Sequence, residues 1–396
     1  MSRILFAWEM GGNLGHIARD LPLAIACREA GHDVLFAVKD LSVCVDAARE
    51  FGIDFVQAPV LRSKQMRQGV PGAINYADLL WQTGFSDAHA LEAVLIGWQG
   101  IFDTFKPDAM VYDFAPRALL AARLASIPVM LLGNGFQIPP RTSPLPSFRP
   151  WQDVPEQALL EAEARVLGRI NSVLAAHGKP AIDLLWKLYA DSPLLIAHFP
   201  EFDHFGPRTE AEYVAMASWL PKRAPGVEWT SDNKRVLAYL QPDIEGVENV
   251  FAALHESEAE VICAVPRLPV EWAERYDTLR FFDGPVDLQT LLPGADLVVT
   301  HGSGTVVDTV SAGVPVLVVP GVTEQYLAGI RAEQQGFGLV LRNSRSTEIC
   351  AIAMRKILRD DKYRAAARAL AQCYSGTDRH DAIRRQLDVL EKMIHE

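Results

Sequence analysis

The chain has 396 residues, 49% of them hydrophobic and 22% charged, and a formal net charge of -11 at pH 7. That length fits two domains better than one, and the apolar share lets each bury a core. The acidic balance argues against a general nucleic-acid binder, which needs basic surface to neutralise phosphates.

The chain opens on an apolar run that reads as a strand, so no signal peptide is expected. In its first half the apolar runs are ILFAW (4–8), DVLFAV (33–38), DFVQA (54–58), AMVYD (109–113), PVMLLG (128–133) and LLIAHF (194–199). In its second half they are RVLAYLQ (235–241), EVICAV (260–265), LRFFD (279–283), LVVT (297–300), PVLVVP (315–320) and FGLVL (337–341). Runs without polar alternation suit parallel strands buried on both faces, and helical stretches separate them. Two blocks of βαβ units are therefore expected. The expected division is an N-terminal domain at 1–215, a linker at 216–232, a C-terminal domain at 233–376 and a final amphipathic helix at 377–396 able to pack back on the first domain. IPPRTSPLPSFRPW (138–151) is long and proline-rich for a connection and reads as a binding loop. Five cysteines without a CxxC pair point to reduced thiols in the cytoplasm rather than a zinc site or a disulfide framework. No apolar run is long enough to span a bilayer. A peripheral membrane contact stays open.

Two glycine-rich turns carry the chemistry. The first strand runs into Gly11-Gly12-Asn13-Leu14-Gly15-His16 before a helix. Free N–H groups of Gly12, Asn13 and Gly15 at that helix start would favour an anion. The spacing is not that of a dinucleotide fingerprint. In the second turn, strand LVVT gives way to His301-Gly302-Ser303-Gly304-Thr305, and a helix follows. Small residues leave room for a diphosphate over that helix start, with N–H groups and the helix dipole facing it. Asp308, further along the helix, is placed to accept from ribose hydroxyls. Glu324 and Gln325 follow strand PVLVVP, where open α/β sheets bind ligands. Trp81, Phe85, Phe136, Phe148 and Trp151 are candidates to line an apolar acceptor pocket, with ordinary core packing as the alternative.

The stretch 296–340, with GHIARDLPLAIACREAGHDVLFAV (15–38) and KPDAMVYDFAPRALLAARLASIP (106–128), resembles the UDP-glycosyltransferase family and its GT-B relatives. The resemblance implies an α/β protein with two Rossmann-like domains whose parallel sheets face each other across a cleft. It implies an inverting, metal-independent transferase that moves a sugar from a nucleotide sugar, expected to be a UDP-sugar, to an acceptor hydroxyl. No cofactor is implied. By resemblance, His301 to Thr305 hold the diphosphate, Asp308 the ribose, Glu324 and Gln325 the sugar, and Val286, after Pro285, the base. His16 matches the general base, and Asp113 matches the acid that orients it. The alternative gives Asp113 to a nearby arginine such as Arg117. Asp308 stands where Glu is usual, Ala328 where Asn is frequent, and Arg19 precedes a late Pro22 in a GHxxR pattern. A nucleotide-sugar epimerase or hydrolase, or a non-catalytic donor-binding subunit, would use the same fold.

Overall fold

Two parallel sheets organise the chain. The computed structural model describes residues 1–12, 15–61, 72–214, 226–342, 345–376 and 378–395. One compact unit comprises Met1–Pro200, Phe205–Val214 and His380–Glu396, and the other comprises Glu201–His204 and Ala215–Arg379.

In the first unit the strands are β1 (Arg3–Trp8), β2 (Asp33–Val38), β3 (Asp54–Gln57), β4 (Ala109–Asp113), β5 (Val129–Gly133), β6 (Leu194–Ile196) and β7 (Glu212–Tyr213). They lie in the order β3-β2-β1-β4-β5-β6-β7 with parallel pairing throughout. Every position of β4 and β5 is buried, as the unbroken apolar runs require. The chain leaves β1 in one direction across the sheet and resumes at β4 on its other side. This switch point opens a crevice at the carboxyl ends of the two strands. Their register sets Trp8 opposite Asp113.

The second unit contains β8 (Arg235–Tyr239), β9 (Glu260–Ala264), β10 (Arg280–Phe282), β11 (Leu297–Thr300), β12 (Val316–Val318) and β13 (Gly338–Val340). Their order is β10-β9-β8-β11-β12-β13, again parallel, with the switch between β8 and β11. Val236, Phe251, Val299 and Leu317 belong to the core that packs on one face of this sheet.

Two features of the path differ from the expected division. Residues 201–204 already belong to the second unit: Arg331 Nε donates to the Glu201 carbonyl at 3.0 Å, and Tyr374 Oη donates to its carboxylate at 2.6 Å. The chain then returns to the first sheet as β7, a two-residue strand too short for a periodicity signal. Of the expected linker, 216–225 lie outside the described residues. Residues 230 and 231 are pinned to the second unit, where the Glu260 carboxylate accepts four hydrogen bonds from Thr230 and Ser231 at 2.7–2.9 Å. Against the burial that would raise it, these bonds hold Glu260 down to about 2.

The final helix, Arg379–His395, packs on the first unit, with Leu390 fully buried and Arg385 paired to Glu212 of β7 at 2.5 and 2.8 Å. Cys27, Cys44, Cys263 and Cys350 are buried free thiols, and Cys373 is an exposed one. Among the described residues no helix is long and apolar enough to cross a membrane.

Candidate functional site

In the first unit, the crevice between β1 and β4 brings two of the expected residues together. His16 sits in the first turn of the helix Gly15–Glu29, which follows β1, and Asp113 ends β4. The His16 Nδ1 lies 2.8 Å from each carboxylate oxygen of Asp113. Both side chains are buried. With the proton on Nδ1 donated to Asp113, the Nε2 of the neutral ring keeps its lone pair. The ring stacks on Trp8, centroids 4.8 Å apart, so its plane is set as well as its tautomer. Gly11, at φ +80°, lies against Nε2; a Cβ there would collide with the ring. Glycine is needed at this position for both the backbone angle and the space. The turns after β1 and β4 are tied by a bond from the Met10 N–H to the Phe114 carbonyl, 3.1 Å. Phe114 adopts φ +46°, a left-handed conformation that costs a non-glycine residue about 1–2 kcal/mol.

Two neighbours on the same helix complete the cluster. The Arg19 guanidinium donates to Asp113 through Nη2 and to the Gln137 side-chain oxygen through Nη1 at 3.0 Å. Against the desolvation that would raise it, Arg19 and His16 hold Asp113 down to about 2. Asp20 is buried too, and burial together with the anionic Asp113 pushes it well above the usual carboxylate range. Its side chain also hydrogen-bonds Asp113. The arginine paired with Asp113 is Arg19 and not Arg117. Arg117 pairs with Glu9 instead (Nε to Oε1, 3.3 Å), and Glu9 also accepts from Trp98 Nε1 at 2.6 Å. The reason is geometric: Arg117 lies on the helix leaving β4, where its own N–H also reaches Glu9, at 2.9 Å.

The expected acceptor aromatics separate. Phe136 stacks on Phe148 at 4.7 Å and meets Phe114, the residue after Asp113, edge-on at 6.3 Å. Phe85 has no exposed surface and packs as core of the first unit. Trp81 carries Arg165 over its face at 5.7 Å, and Trp151 is an exposed surface ring. The 138–151 segment is braced rather than free. Ser143 donates to Glu163 at 3.0 Å, the Phe148 N–H donates to Ile74 O at 2.7 Å, and Asn75 bridges Ser147. Of the anion-turn candidates, Gly12 and Gly15 are exposed at the helix start, and Asn13 lies outside the described residues.

In the second unit, His301 and Gly302 link β11 to the helix Ser303–Ser311. Gly304 is exposed there, while Thr305 and Asp308 are buried. The His301 Nδ1–H donates to the Tyr239 carbonyl at 3.2 Å, and burial shifts the ring below its ordinary value. A neutral His301 thus presents Nε2 as an acceptor, and a phosphate contact at that atom requires the imidazolium. Glu324 Oε1 lies 3.3 Å from His204 Nε2. The Gln325 side-chain oxygen accepts from the N–H groups of Gly321 (2.7 Å) and Val322 (3.3 Å), which commits that oxygen to closing its own helix start. Val286 is buried just ahead of the helix Leu288–Leu291. Among the described residues no group of three or more His, Cys, Asp or Glu side chains is arranged to hold a metal ion.

Sequence reasoning missed Asp20, Gln137 and His204. Arg19 was visible as a departure from the usual helix start, and its i, i+3 spacing from His16 puts both on one helix face. Gln137 and His204 carry no local signal, because their partners lie more than a hundred residues away.

Strand order and the glycine turns at the two switch points define a class, the proteins built from two Rossmann-like units. Residues 248–379 match the family described as "Erythromycin biosynthesis protein CIII-like, C-terminal domain". The chain is 25% identical to a PGL/p-HBAD biosynthesis glycosyltransferase of Mycobacterium tuberculosis, covering 94% of this chain and 88% of that one. It is 29% identical to a PGL/p-HBAD biosynthesis rhamnosyltransferase of Mycobacterium bovis, over 70% of this chain and 66% of that one. The solved structure of the glycosyltransferase VinC in complex with DTDP superposes with a TM-score of 0.70 at 18% identity, covering 98% of this chain and 100% of that chain. The chain is a glycosyltransferase with the GT-B fold.

Proposed function

We propose that this glycosyltransferase transfers a sugar with inversion, from a pyrimidine nucleoside diphosphate sugar to an acceptor hydroxyl, with His16 as general base. The observation that carries the reading is the His16 Nδ1 held 2.8 Å from both oxygens of Asp113. This pairing leaves Nε2 as the proton acceptor and gives the forming imidazolium a carboxylate partner. As the acceptor oxygen bonds to the anomeric carbon, its proton passes to Nε2. The bond from that carbon to the β-phosphate oxygen breaks, and the nucleoside diphosphate departs with the electron pair. The start of the helix Ser303–Ser311 meets the leaving charge with backbone N–H groups, and we propose that no divalent metal is needed. Glu324 is the sugar-reading carboxylate of this proposal, oriented by His204, and Asp308 is the ribose partner. UDP is the base expected from sequence; the DTDP complex of VinC makes thymidine diphosphate its direct competitor. The aromatic cluster Phe114, Phe136 and Phe148, which begins at the residue after Asp113, supports an apolar or aromatic acceptor. The free thiols support a reducing, cytoplasmic compartment.

The test combines binding and turnover. Calorimetry with UDP, dTDP and GDP is expected to show a pyrimidine diphosphate bound. Release of that diphosphate from its sugar should require an acceptor and persist in EDTA. His16→Ala and Asp113→Asn should each lower turnover about 10²–10⁴-fold and leave diphosphate affinity unchanged. Near-normal turnover of an alcohol acceptor by His16→Ala removes the base from this reading, and turnover lost in EDTA and restored by manganese removes metal independence.

A further inference from the structure

We propose that Arg19 is a positioning residue that keeps Asp113 anionic beside a neutral His16 and ties the pair to the loop after β5. The inference rests on the His16–Asp113 reading above. A general base must start neutral, yet its partner Asp113 has no exposed surface. A buried carboxylate facing only a neutral imidazole would lack a compensating charge. It would then draw a proton onto the histidine and block the base.

Arg19 supplies the missing charge. Its guanidinium lies one helical turn beyond His16, is largely shielded from solvent, and donates to Asp113 Oδ1 through Nη2. The same guanidinium donates through Nη1 to Gln137 Oε1 at 3.0 Å and through Nε to Asp20 Oδ1 at 3.3 Å. Gln137 is itself locked. Its side-chain oxygen also accepts from the Asn134 N–H at 2.8 Å, and its carbonyl accepts from Tyr76 Oη at 2.9 Å and Tyr112 Oη at 2.8 Å. Asn134 Oδ1 in turn accepts from the N–H groups of Phe136 and Gln137, both at 3.0 Å. One side chain thus links the base-bearing helix, the end of β4 and the loop that carries Phe136. A planar fork does this; a lysine ammonium, a single point of charge, cannot hold both partners in the same geometry. The other charged groups around the cluster are few. Burial and the anionic Asp113 push Asp20 up, Lys39 donates to the Gly11 carbonyl at 2.5 Å, and Glu9 is paired with Arg117.

The test reads the imidazole directly and needs no acceptor. Histidine side-chain ¹⁵N NMR is recorded against pH on the full chain as wild type, Arg19→Gln and Arg19→Lys, with His16→Ala to identify the signal. Wild type should show the Nδ1–H tautomer at neutral pH. Arg19→Gln should move the His16 titration midpoint upward by about one pH unit, because the local charge has become more negative. Arg19→Lys should move it much less. Turnover should fall about 10–100-fold in Arg19→Gln, the usual effect of losing an outer-shell partner, with UDP and dTDP affinity unchanged. A midpoint that stays put in Arg19→Gln overturns this inference alone. A wild-type ring carrying its proton on Nε2 instead overturns the His16–Asp113 reading and this inference with it. If Arg19→Gln fails to fold, Gln137→Leu carries the test of the link to the loop: turnover should fall with the midpoint unchanged, and wild-type turnover there overturns it.

Discussion

Single side chains near Asp113 do opposite things with the same functional group. Asp113 and Asp20 are both buried carboxyls, and Arg19 donates to each, but one is held at about 2 and the other is pushed well above its ordinary range. Two adjacent carboxyls cannot both ionise at low cost, and the arginine's fork favours Asp113. The sign of the consequence for Asp20 follows. Its folded-state value lies above its unfolded value, so its contribution to stability is present at acid pH. That contribution is lost as pH rises from the unfolded value near 4 through the folded one. Asp20→Asn keeps a neutral, hydrogen-bonding side chain and removes that loss. Its melting temperature should match wild type near pH 4 and exceed it at pH 7–8. Calorimetric melts at both pH values check this, and a variant less stable than wild type at pH 8 contradicts a raised Asp20.

At the scale of elements, each parallel sheet ends in a glycine turn at its switch point, and the two turns are built for different tasks. The turn after β1 is packed against a side chain, with Gly11 leaving room for His16. The turn after β11 is open. Gly302 has φ −96°, which any residue adopts, and a Cβ there would meet nothing within 4 Å. The protein itself therefore gives no reason for glycine at 302, and a ligand approaching the backbone does. Gly302→Ala is expected to melt like wild type yet bind UDP or dTDP about tenfold more weakly or worse, a difference of ~1.4 kcal/mol. Calorimetric titration beside a thermal melt separates the two effects. Wild-type affinity in Gly302→Ala would mean that the diphosphate does not approach this backbone.

Over the whole molecule, the chain does not divide at one point. Residues 201–204 join the second unit, β7 returns to the first sheet, and the last helix returns to the first unit. That helix buries Leu390 completely, and its Glu391 lies 3.4 Å from His32. Ending the chain after Asp378 should expose this face of the first unit. Losing Leu390 alone costs about 1.5–3 kcal/mol. Urea unfolding followed by tryptophan fluorescence, Trp98 being buried in the first unit, should then show a lower midpoint for that unit. Diphosphate binding by the second unit should survive. An unchanged midpoint would mean that the helix contributes nothing to the first unit's stability.

The amino-acid sequence by itself determined two parallel α/β units and the glycine turns at their switch points. Unbroken apolar runs and strand–turn–helix units are local patterns, and they are written within a few residues. Among the described residues, eleven of the thirteen strands lie inside those runs and β1 begins one residue ahead of its own. The His16–Asp113 pair was legible too, through a resemblance that set both at strand ends. Only the tertiary structure decided what surrounds the pair. Arg19 reaches a glutamine 118 residues away, Asp113 takes Arg19 rather than Arg117, and Phe85 turns into the core. Charge compensation in a buried site depends on which side chains the fold brings within hydrogen-bonding distance, and sequence spacing carries no record of that for partners so far apart.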